Sequence, residues 1–234
     1  MWKHKKVTVV LPTYKEKKSI REAIEEFDSS GFVDEIIAVD NNAEEGTARE
    51  VAKTRAKFIK EEKQGYGYAI RKGINSTNAD LIIVAEPDGS FDGKDVVKLL
   101  AYSDDFEMVF GSRTHLSLVH KGSDMTYAKR ILDVLLAKLV TYLYACSPLT
   151  DLGCTLRLTS KKAWKKISNE CNSADGIFAT EWELIAAKRK VNFIEIPINF
   201  RSRIGISPIS GTFKKKAVWG LRKFYYVWKI WLFT

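Results

Sequence analysis

The chain has 234 residues, enough for one large α/β domain. Hydrophobic residues make up 45% of it and charged residues 29%, which allows a sizeable core and excludes wholesale disorder. The formal net charge of +9 at pH 7 favours anionic partners, namely nucleic acid, acidic lipid head groups or phosphorylated small molecules.

The first half of the chain alternates between segments typical of strands and of helices. Short apolar, β-branched runs predict strands at residues 7–11, 35–39, 57–59, 81–84 and 108–110. Apolar residues at helical spacing predict helices at residues 17–27, 47–57, 68–75 and 94–102. This alternation predicts a mostly parallel sheet that is covered by helices on both faces.

The second half of the chain has a different pattern. Leucines on one face predict a long amphipathic helix over residues 127–143. A late strand is expected at residues 191–198, and Arg157 lies in another predicted strand. Residues 213–234 are basic and aromatic and are expected to form a separate element beyond a catalytic domain of residues 1–212.

Targeting and disulfide patterns are absent from the sequence. The basic N-terminus is followed by only a short apolar run before Pro12, which is too short for a signal peptide. No uninterrupted apolar stretch reaches the ~20 residues that a spanning helix needs. The cysteines are odd in number and lack CxxC spacing, which fits a reducing cytosol: Cys146, Cys154 and Cys171.

Polar clusters follow three of the predicted strands, at residues 12–16, 40–42 and 86–88. Ligands of parallel sheets bind outside the carboxyl ends of the strands, so these clusters predict one shared site. Helix capping alone explains Asp40 or Asn42 equally well. Glu86 and Asp88 place two carboxylates in a turn, where they would share Mg²⁺ or Mn²⁺ with substrate phosphates. The two glycines of residues 64–68 would let the backbone approach a ligand closely.

The motifs, taken in order, resemble those of glycosyltransferase family 2. Within that family the likeness is to the polyprenyl-phosphate sugar synthases, the group that includes dolichyl-phosphate mannose synthase. It covers residues 6–212 and rests on these segments: PTYKE, DNN, QGYGYAIRKG, EPDGS, FGSR, TDLGCTLR, EIPI and RIGIS.

The resemblance implies an A-type glycosyltransferase fold, which is Rossmann-like, with a mostly parallel central sheet and helices on both faces. It implies a nucleotide-sugar site formed by Pro12, Tyr14, Glu16, Asp40, Asn42, Gln64, Gly65, Gly67, Lys72, Glu86, Asp88 and Arg203. The expected metal ligands for Mn²⁺ or Mg²⁺ are Glu86 and Asp88. The expected catalytic residues are Asp88, Arg113, Arg130 and Arg203, the last on a loop over the donor diphosphate. The arginines expected at an acceptor phosphate are Arg113, Arg130 and Arg157.

The sequence departs from the family pattern at four positions. Glu86 replaces the first aspartate of the usual Asp-x-Asp motif, and Ser90 stands where a glutamine often completes the metal shell. Asn41 replaces a common second aspartate, and Pro208 replaces a lysine. The metal preference and the identity of the donor are therefore left open.

The acceptor decides which mechanism is needed. A phosphate monoester is ionised near neutrality and needs no general base, whereas a hydroxyl acceptor does. Fixed arginines suit a phosphate because they hold its oxygens bidentately. For a hydroxyl acceptor, Glu181 or Glu183 is the base candidate, although acids in the first turn of a helix are also favoured by its dipole.

The C-terminal segment is expected to be a helix in the membrane interface. Its basic stripe consists of Lys215, Lys216, Arg222, Lys223 and Lys229. The opposite, apolar face consists of Leu221, Phe224, Trp228 and Trp231. Two alternatives are a helix that packs its aromatic residues on the domain and the start of a spanning segment that has been removed.

These observations predict an inverting, metal-dependent transferase that moves a hexose, expected to be mannose from GDP-mannose, to a polyprenyl or dolichyl phosphate. It would work at the cytoplasmic face of a membrane, as a peripheral protein or anchored by a segment missing from this chain. A UDP-sugar enzyme with a hydroxyl acceptor and an inactive nucleotide-sugar-binding protein remain as alternatives. A nucleic-acid-binding protein is not expected, because acidic clusters occupy the ligand edge and no RNP-like or helix-turn-helix arrangement is present.

Overall fold

Seven strands form one sheet in the computed structural model, which describes residues 1–205 and 213–233. The strands are β1 (Val7–Thr13), β2 (Glu35–Asp40), β3 (Lys57–Lys60), β4 (Leu81–Val84), β5 (Met108–Ser112), β6 (Arg157–Ser160) and β7 (Phe193–Pro197). Their order is β3-β2-β1-β4-β6-β5-β7, and β6 runs antiparallel to both of its neighbours. The other pairs are parallel, which confirms the mostly parallel sheet.

Eight α-helices flank this sheet among the described residues. They are α1 (Ile20–Asp28), α2 (Thr47–Val51), α3 (Tyr66–Asn75), α4 (Asp95–Tyr102), α5 (Tyr127–Tyr144), α6 (Lys161–Ile167), α7 (Ile177–Lys188) and α8 (Phe213–Phe233). A 3-10 turn spans Leu116–Leu118. The helix that the sequence predicts over residues 47–57 ends at Val51, where the backbone N–H and the hydroxyl of Thr54 both donate to the Val51 carbonyl, at 2.9 and 2.7 Å.

Two hydrophobic cores lie on the two faces of the sheet. Val10 and Ile82 belong to the core that contains residues of α3, α5, α6, α7 and α8. Val9 and Ile83 belong to the other core, with residues of α1 and α4. Successive strand residues point to opposite faces, so a strand buried on both faces must be apolar throughout, as the sequence of β4 is.

The C-terminal helix α8 is part of the first of these cores. Val227 and Ile230 are buried there, and the Tyr144 hydroxyl of α5 donates to the Val227 carbonyl at 2.7 Å. The sequence predicts residues 213–234 as a separate element, whereas in the structure one face of α8 packs into the domain. In the described part of the chain, no helix is both long enough and apolar enough to cross a bilayer. The boundary at residue 212, the departure at Pro208 and the last residues of the RIGIS motif lie outside the described residues.

Candidate active site

The polar segments after β1, β2 and β4 meet at one edge of the sheet. Thr13 lies beside Asp40 in the register of β1 and β2, and β4 pairs with β1 on its other side. The Ser19 hydroxyl donates to the Pro87 carbonyl at 2.7 Å and ties the loop after β1 to the loop after β4. Glu16 caps its own turn by accepting the backbone N–H groups of residues 14 and 15 at 2.6 and 2.8 Å. The structure therefore brings the three predicted clusters together.

Asp88 is the most buried carboxylate at this edge, at 1% exposure. Its Oδ1 accepts the backbone N–H and the hydroxyl of Ser90, at 2.9 and 2.5 Å. Its Oδ2 is buried without a hydrogen bond but lies 2.6 Å from Nη2 of Arg203. The same Nη2 lies 3.6 Å from Oε2 of Glu86, so one guanidinium faces both acids.

Burial and mutual repulsion act on the carboxylates of this edge. The pKa of Glu86 is raised to about 7, first by burial and then by the charge of Asp88, while the charges of Arg203 and Arg113 act against the rise. Burial also raises the pKa of Glu16, and the charge of Asp88 adds to that rise. Carboxylates held this close together favour the binding of a cation.

The donor set of Glu86 and Asp88 fits a hard divalent cation. Both offer carboxylate oxygens, and Asp88 Oδ2 has no hydrogen-bond donor of its own. In the described ranges 1–205 and 213–233, no group of three or more His, Cys, Asp or Glu side chains forms a complete metal cage. Two carboxylates suffice for Mg²⁺ or Mn²⁺ when substrate phosphates and water complete the shell. Arg203 supplies the positive charge at this position in the structure.

Asn41, which replaces an aspartate of the family pattern, has a structural role. Its side-chain nitrogen donates to the carbonyl of Lys63 at 2.8 Å, and its oxygen accepts the N–H of Gly65 at 2.7 Å. Next to it, Asn42 donates to the side-chain oxygen of Gln64 at 2.9 Å. Asn42 and Gln64 therefore lie close to Asp40 at the end of β2, where the sequence predicts the nucleotide pocket.

Gly65 and Gly67 are required by packing inside the protein, a constraint that the sequence does not indicate. A Cβ at Gly65 would lie 2.5 Å from the carbonyl oxygen of Ala174, and a Cβ at Gly67 would lie 2.0 Å from that of Ser173. The N–H of Gly67 also donates to the Ala174 carbonyl at 2.8 Å. Lys72 is exposed in the last turn of α3. This end of the helix points away from the sheet edge that carries Asp40 and Asp88, so Lys72 does not group with the other residues predicted for the nucleotide sugar.

Arg113 follows β5 and is held rigidly by Asp151. Its Nε and Nη2 donate to the two carboxylate oxygens at 2.7 Å each, and its backbone N–H donates at 2.9 Å. Burial opposes ionisation of Asp151, but Arg113 outweighs it and holds the pKa of Asp151 at about 2. The charge of Arg113 lowers the pKa of Glu86 and also that of Lys129 on α5. Because β5 runs parallel to β4, with β6 between them, Arg113 lies at the same edge of the sheet as Glu86 and Asp88.

Lys129 on α5 is a candidate site residue that the sequence motifs do not indicate. Its pKa is lowered to about 8, first by burial and then by the charge of Arg113. It lies on the same helix face as the buried Asp133, Ala137 and Val140, and this spacing is the signal that could have found it. The predicted residue next to it, Arg130, is half-buried with its guanidinium 5.1 Å from the ring centre of Tyr127.

Arg157 lies in the core and not at the acceptor side. It is 1% exposed, its guanidinium lies between the rings of Phe110 and Trp182, and it donates to the carbonyls of Ala179 and Cys154. Its carboxylate partner is Glu183, at 3.3 Å. These contacts occupy the guanidinium, so we leave Arg157 out of the acceptor site.

Glu181 and Glu183 also have structural roles. The sequence predicts both acids in the first turn of a helix. Helix α7 begins at Ile177, so they lie in its second turn instead. Glu181 accepts the N–H of Ser173 at 2.7 Å, and Glu183 accepts the N–H of Gly153 at 2.9 Å. Glu183 is fully buried, so its position does not support a general base for a hydroxyl acceptor.

The family model described as glycosyl transferase family 2 matches residues 8–164. The chain belongs to glycosyl transferase family 2. The matched range contains the segments after β1, β2 and β4 and also Arg113 and Lys129. The resemblance that the motifs indicate is therefore confirmed at the level of the family.

The chain is similar in sequence to two hexose-transferring relatives from the same organism. The low-salt glycan biosynthesis hexosyltransferase Agl6 of Haloferax volcanii is 26% identical over 205 residues, which cover 85% of this chain and 48% of Agl6. The chain thus spans about half the length of the first curated relatives it matches. The dolichyl-phosphate hexose transferase of the same organism is 25% identical over 212 residues, which cover 88% of each chain.

A solved structure of a glycosyltransferase has the same fold. Glucosyl-3-phosphoglycerate synthase from Mycobacterium tuberculosis, in complex with Mn²⁺, UDP and phosphoglyceric acid, matches with a TM-score of 0.73 at 13% identity. The match covers 99% of this chain and 80% of that one. The predicted A-type glycosyltransferase fold of this family 2 chain is therefore confirmed.

Proposed function

We propose that this chain transfers a hexose from a nucleotide sugar to a polyprenyl phosphate. The observation that carries the proposal is a pair of oppositely charged groups at one sheet edge. Glu86 and Asp88 follow β4 and form the acidic group. Arg113 follows β5, which runs parallel to β4 with β6 between them, so it lies at the same edge and forms the cationic group with Lys129 of α5. The acidic group suits a metal-bound diphosphate, and the cationic group suits a phosphate acceptor. The relative named dolichyl-phosphate hexose transferase, aligned over most of both chains, supports this acceptor class.

The donor side is assigned as follows. Asp88 and Glu86 would hold Mn²⁺ or Mg²⁺, which neutralises the diphosphate leaving group when bound. Arg203 lies within 3.6 Å of both carboxylates and would pair with the diphosphate. The residues that would line the nucleotide pocket are Pro12, Tyr14, Glu16, Asp40, Asn42 and Gln64.

The acceptor side needs no general base. A phosphate oxygen of the acceptor attacks the anomeric carbon, the bond from that carbon to the diphosphate oxygen breaks, and the nucleoside diphosphate leaves with the electron pair. The attack comes from the opposite face, so the configuration inverts. Arg113, fixed by Asp151, and Lys129 would hold the acceptor phosphate, with Arg130 near them on α5. The buried positions of Glu181 and Glu183 favour this mechanism over a hydroxyl acceptor.

Membrane contact is proposed for the exposed faces of α5 and α8. The exposed apolar residues of α5 are Tyr127, Ile131, Leu132, Leu135 and Tyr142, and those of α8 are Val218, Leu221, Phe224, Tyr225, Trp231, Leu232 and Phe233. We name these residues the apolar surface. A surface of this kind beside basic side chains suits a bilayer interface, where a polyprenyl chain would be found.

The donor is proposed as a nucleotide hexose, and the resemblance favours GDP-mannose. UDP-glucose is the second candidate, because a structure of the same fold was solved with UDP. Thermal unfolding of the purified chain with each donor, with and without Mn²⁺, separates the two. We expect a metal-dependent rise in the unfolding temperature for one donor in the wild type and none in Asp88→Asn. Equal shifts in Asp88→Asn would contradict the metal assignment.

A further inference from the structure

Helix α8 carries a lysine that points into the protein. Lys223 is 9% exposed, its ammonium donates to the Leu152 carbonyl at 2.5 Å, and it lies 3.3 Å from Oδ1 of Asp133 on α5. A lysine is rarely buried unless its charge is paired, because burial of an isolated ammonium is costly. Lys223 therefore has a specific role at this position, whereas its neighbours Leu221 and Phe224 face outward.

The carbonyl that Lys223 binds belongs to the turn of residues 150–153. Three elements hold this turn through its backbone. Glu195 of β7 accepts the N–H groups of Thr150 and Asp151 at 2.7 and 2.8 Å, and Glu183 of α7 accepts that of Gly153 at 2.9 Å. Lys223 of α8 binds the same turn through the Leu152 carbonyl.

This turn fixes the arginine of the proposed acceptor site. The Asp151 carboxylate is fully buried and receives three N–H donors of Arg113 at 2.7 to 2.9 Å. A shift of the turn would therefore move Arg113 with it. Asp133, the other partner of Lys223, is 7% exposed, and its Oδ2 has no hydrogen bond. Without Lys223, Asp133 would lose the cation that contacts it, and its uncompensated share of negative charge would weaken the attraction of Lys129 for an incoming phosphate.

We propose that Lys223 is a positioning residue for the acceptor phosphate: it holds the turn that fixes Arg113 and neutralises Asp133. This rests on the proposed function, because it assumes that Arg113 and Lys129 receive a phosphate. Helix α8 then has two roles on two faces. Its outward face belongs to the apolar surface, and its inward lysine completes the active site.

The test compares Lys223→Met with Lys188→Met in the full chain. Lys188 of α7 also ties α8 to the domain, by donating to the carbonyls of Ile230 at 2.6 Å and Trp231 at 3.0 Å. These hydrogen bonds do not involve the turn of residues 150–153. Each variant loses one lysine that links α8 to the rest of the domain and keeps an apolar stem. The measurements are the Kd for farnesyl phosphate, kcat and KM for transfer to it in detergent, the Kd for the nucleotide sugar, and the unfolding temperature.

We expect Lys223→Met to raise the Kd and KM for farnesyl phosphate by ~10-fold or more, because a buried charge loses its partner, while the donor Kd stays unchanged. Lys188→Met should keep wild-type acceptor values even if its unfolding temperature falls. In Lys223→Met with Asp133→Asn, the uncompensated charge is gone, so part of the acceptor affinity should return.

Wild-type acceptor values in Lys223→Met would overturn the inference and leave the proposed function intact. Equal loss of donor and acceptor binding would also overturn it, since that result indicates a general role in folding. If the single variant does not fold, the neutral double variant decides. Wild-type acceptor affinity in the double variant would show that Lys223 does not position Arg113. Failure of the wild-type chain to bind or use farnesyl phosphate would instead contradict the proposed function.

Discussion

Asp88 and Glu86 show how burial prepares single residues for a charged ligand. Asp88 is held on one oxygen by Ser90, and its other oxygen faces Arg203 without a hydrogen bond. The sequence pointed to both acids because they follow an apolar strand within a family motif. The family resemblance places Arg203 in the same site, but the sequence does not indicate that it pairs directly with both acids, because that contact depends on the folded loop.

Asp88→Asn is expected to abolish metal-dependent donor binding and to reduce transfer by ~100-fold or more, because the amide keeps the shape but removes the charge. Titration of Mn²⁺ and donor by calorimetry checks this. Asp92→Asn is the matched control, because its carboxylate accepts a backbone N–H of Lys94 in the next turn. Wild-type metal dependence in Asp88→Asn would contradict the assignment.

The pKa of Lys129 predicts an alkaline limit on acceptor use. Its folded pKa of about 8 means that the ammonium loses its proton, and its attraction for phosphate, as the pH rises through 8. We expect kcat/KM for the acceptor to fall above about pH 8, since this ratio reports groups of the free enzyme. Lys129→Arg should remove that fall because an arginine stays protonated. If kcat/KM for the acceptor falls in the same way in Lys129→Arg, the fall belongs to a group other than Lys129.

At the level of elements, α8 packs one face on the domain and exposes the other, which is the face that we propose for membrane contact. Of its predicted basic stripe, Lys223 is buried and Arg222 pairs with Asp175 at 2.5 Å. The aromatic face stays largely outside, with Phe224 46% and Trp231 40% exposed. A helical period identifies two faces, but it does not indicate which one meets the domain, because that choice depends on partners such as Asp133 of α5.

Binding to vesicles should depend on the apolar surface more than on the basic stripe of α8, because Lys223 of that stripe is buried and Arg222 is paired with Asp175. We expect Leu221→Glu with Leu232→Glu to weaken binding to anionic vesicles by ~10-fold or more, since two exposed leucines of α8 become charged. Val97→Glu is the control, because Val97 is 39% exposed on α4, across the sheet. Co-sedimentation at low salt measures both. Equal binding by the double variant and the wild type would exclude α8 from the membrane contact.

At the level of the whole molecule, the parallel part of the sheet was predictable from its continuous apolar runs. The antiparallel insertion of β6 between β4 and β5 was not, because its pairing joins residues far apart in sequence, such as Ile83 and Leu158. Arg157 was misassigned for the same reason, since its partner Glu183 comes from a different element. The spacing within one strand or helix does not encode such distant contacts.

A buried network at the opposite edge of the sheet predicts acid sensitivity of the fold. Burial opposes ionisation of Glu35, but hydrogen bonds from Lys57, Thr77 and Thr8 outweigh it and hold its pKa at about 2. The folded pKa lies below the ordinary value of 4.5, so this stabilisation is present above about pH 4.5 and is lost as the pH falls towards 2. Its upper size is about 3 kcal/mol.

Glu35→Gln should therefore lower the free energy of unfolding at pH 7 by about 1–3 kcal/mol, with a smaller loss at pH 3. Urea unfolding at the two pH values measures this difference. Glu25→Gln is the control, because Glu25 is 59% exposed. A loss that is the same at both pH values would show that the carboxylate charge of Glu35 is not what stabilises the fold.

The central claim is transfer of a hexose to a phosphate and not to a hydroxyl. The most direct measurement incubates the purified chain with Mn²⁺ and labelled GDP-mannose or UDP-glucose, and offers farnesyl phosphate or farnesol as the acceptor. Our account predicts a labelled phosphodiester from farnesyl phosphate with one of the donors, none from farnesol, and none with Asp88→Asn. Transfer to farnesol in preference to farnesyl phosphate would contradict it.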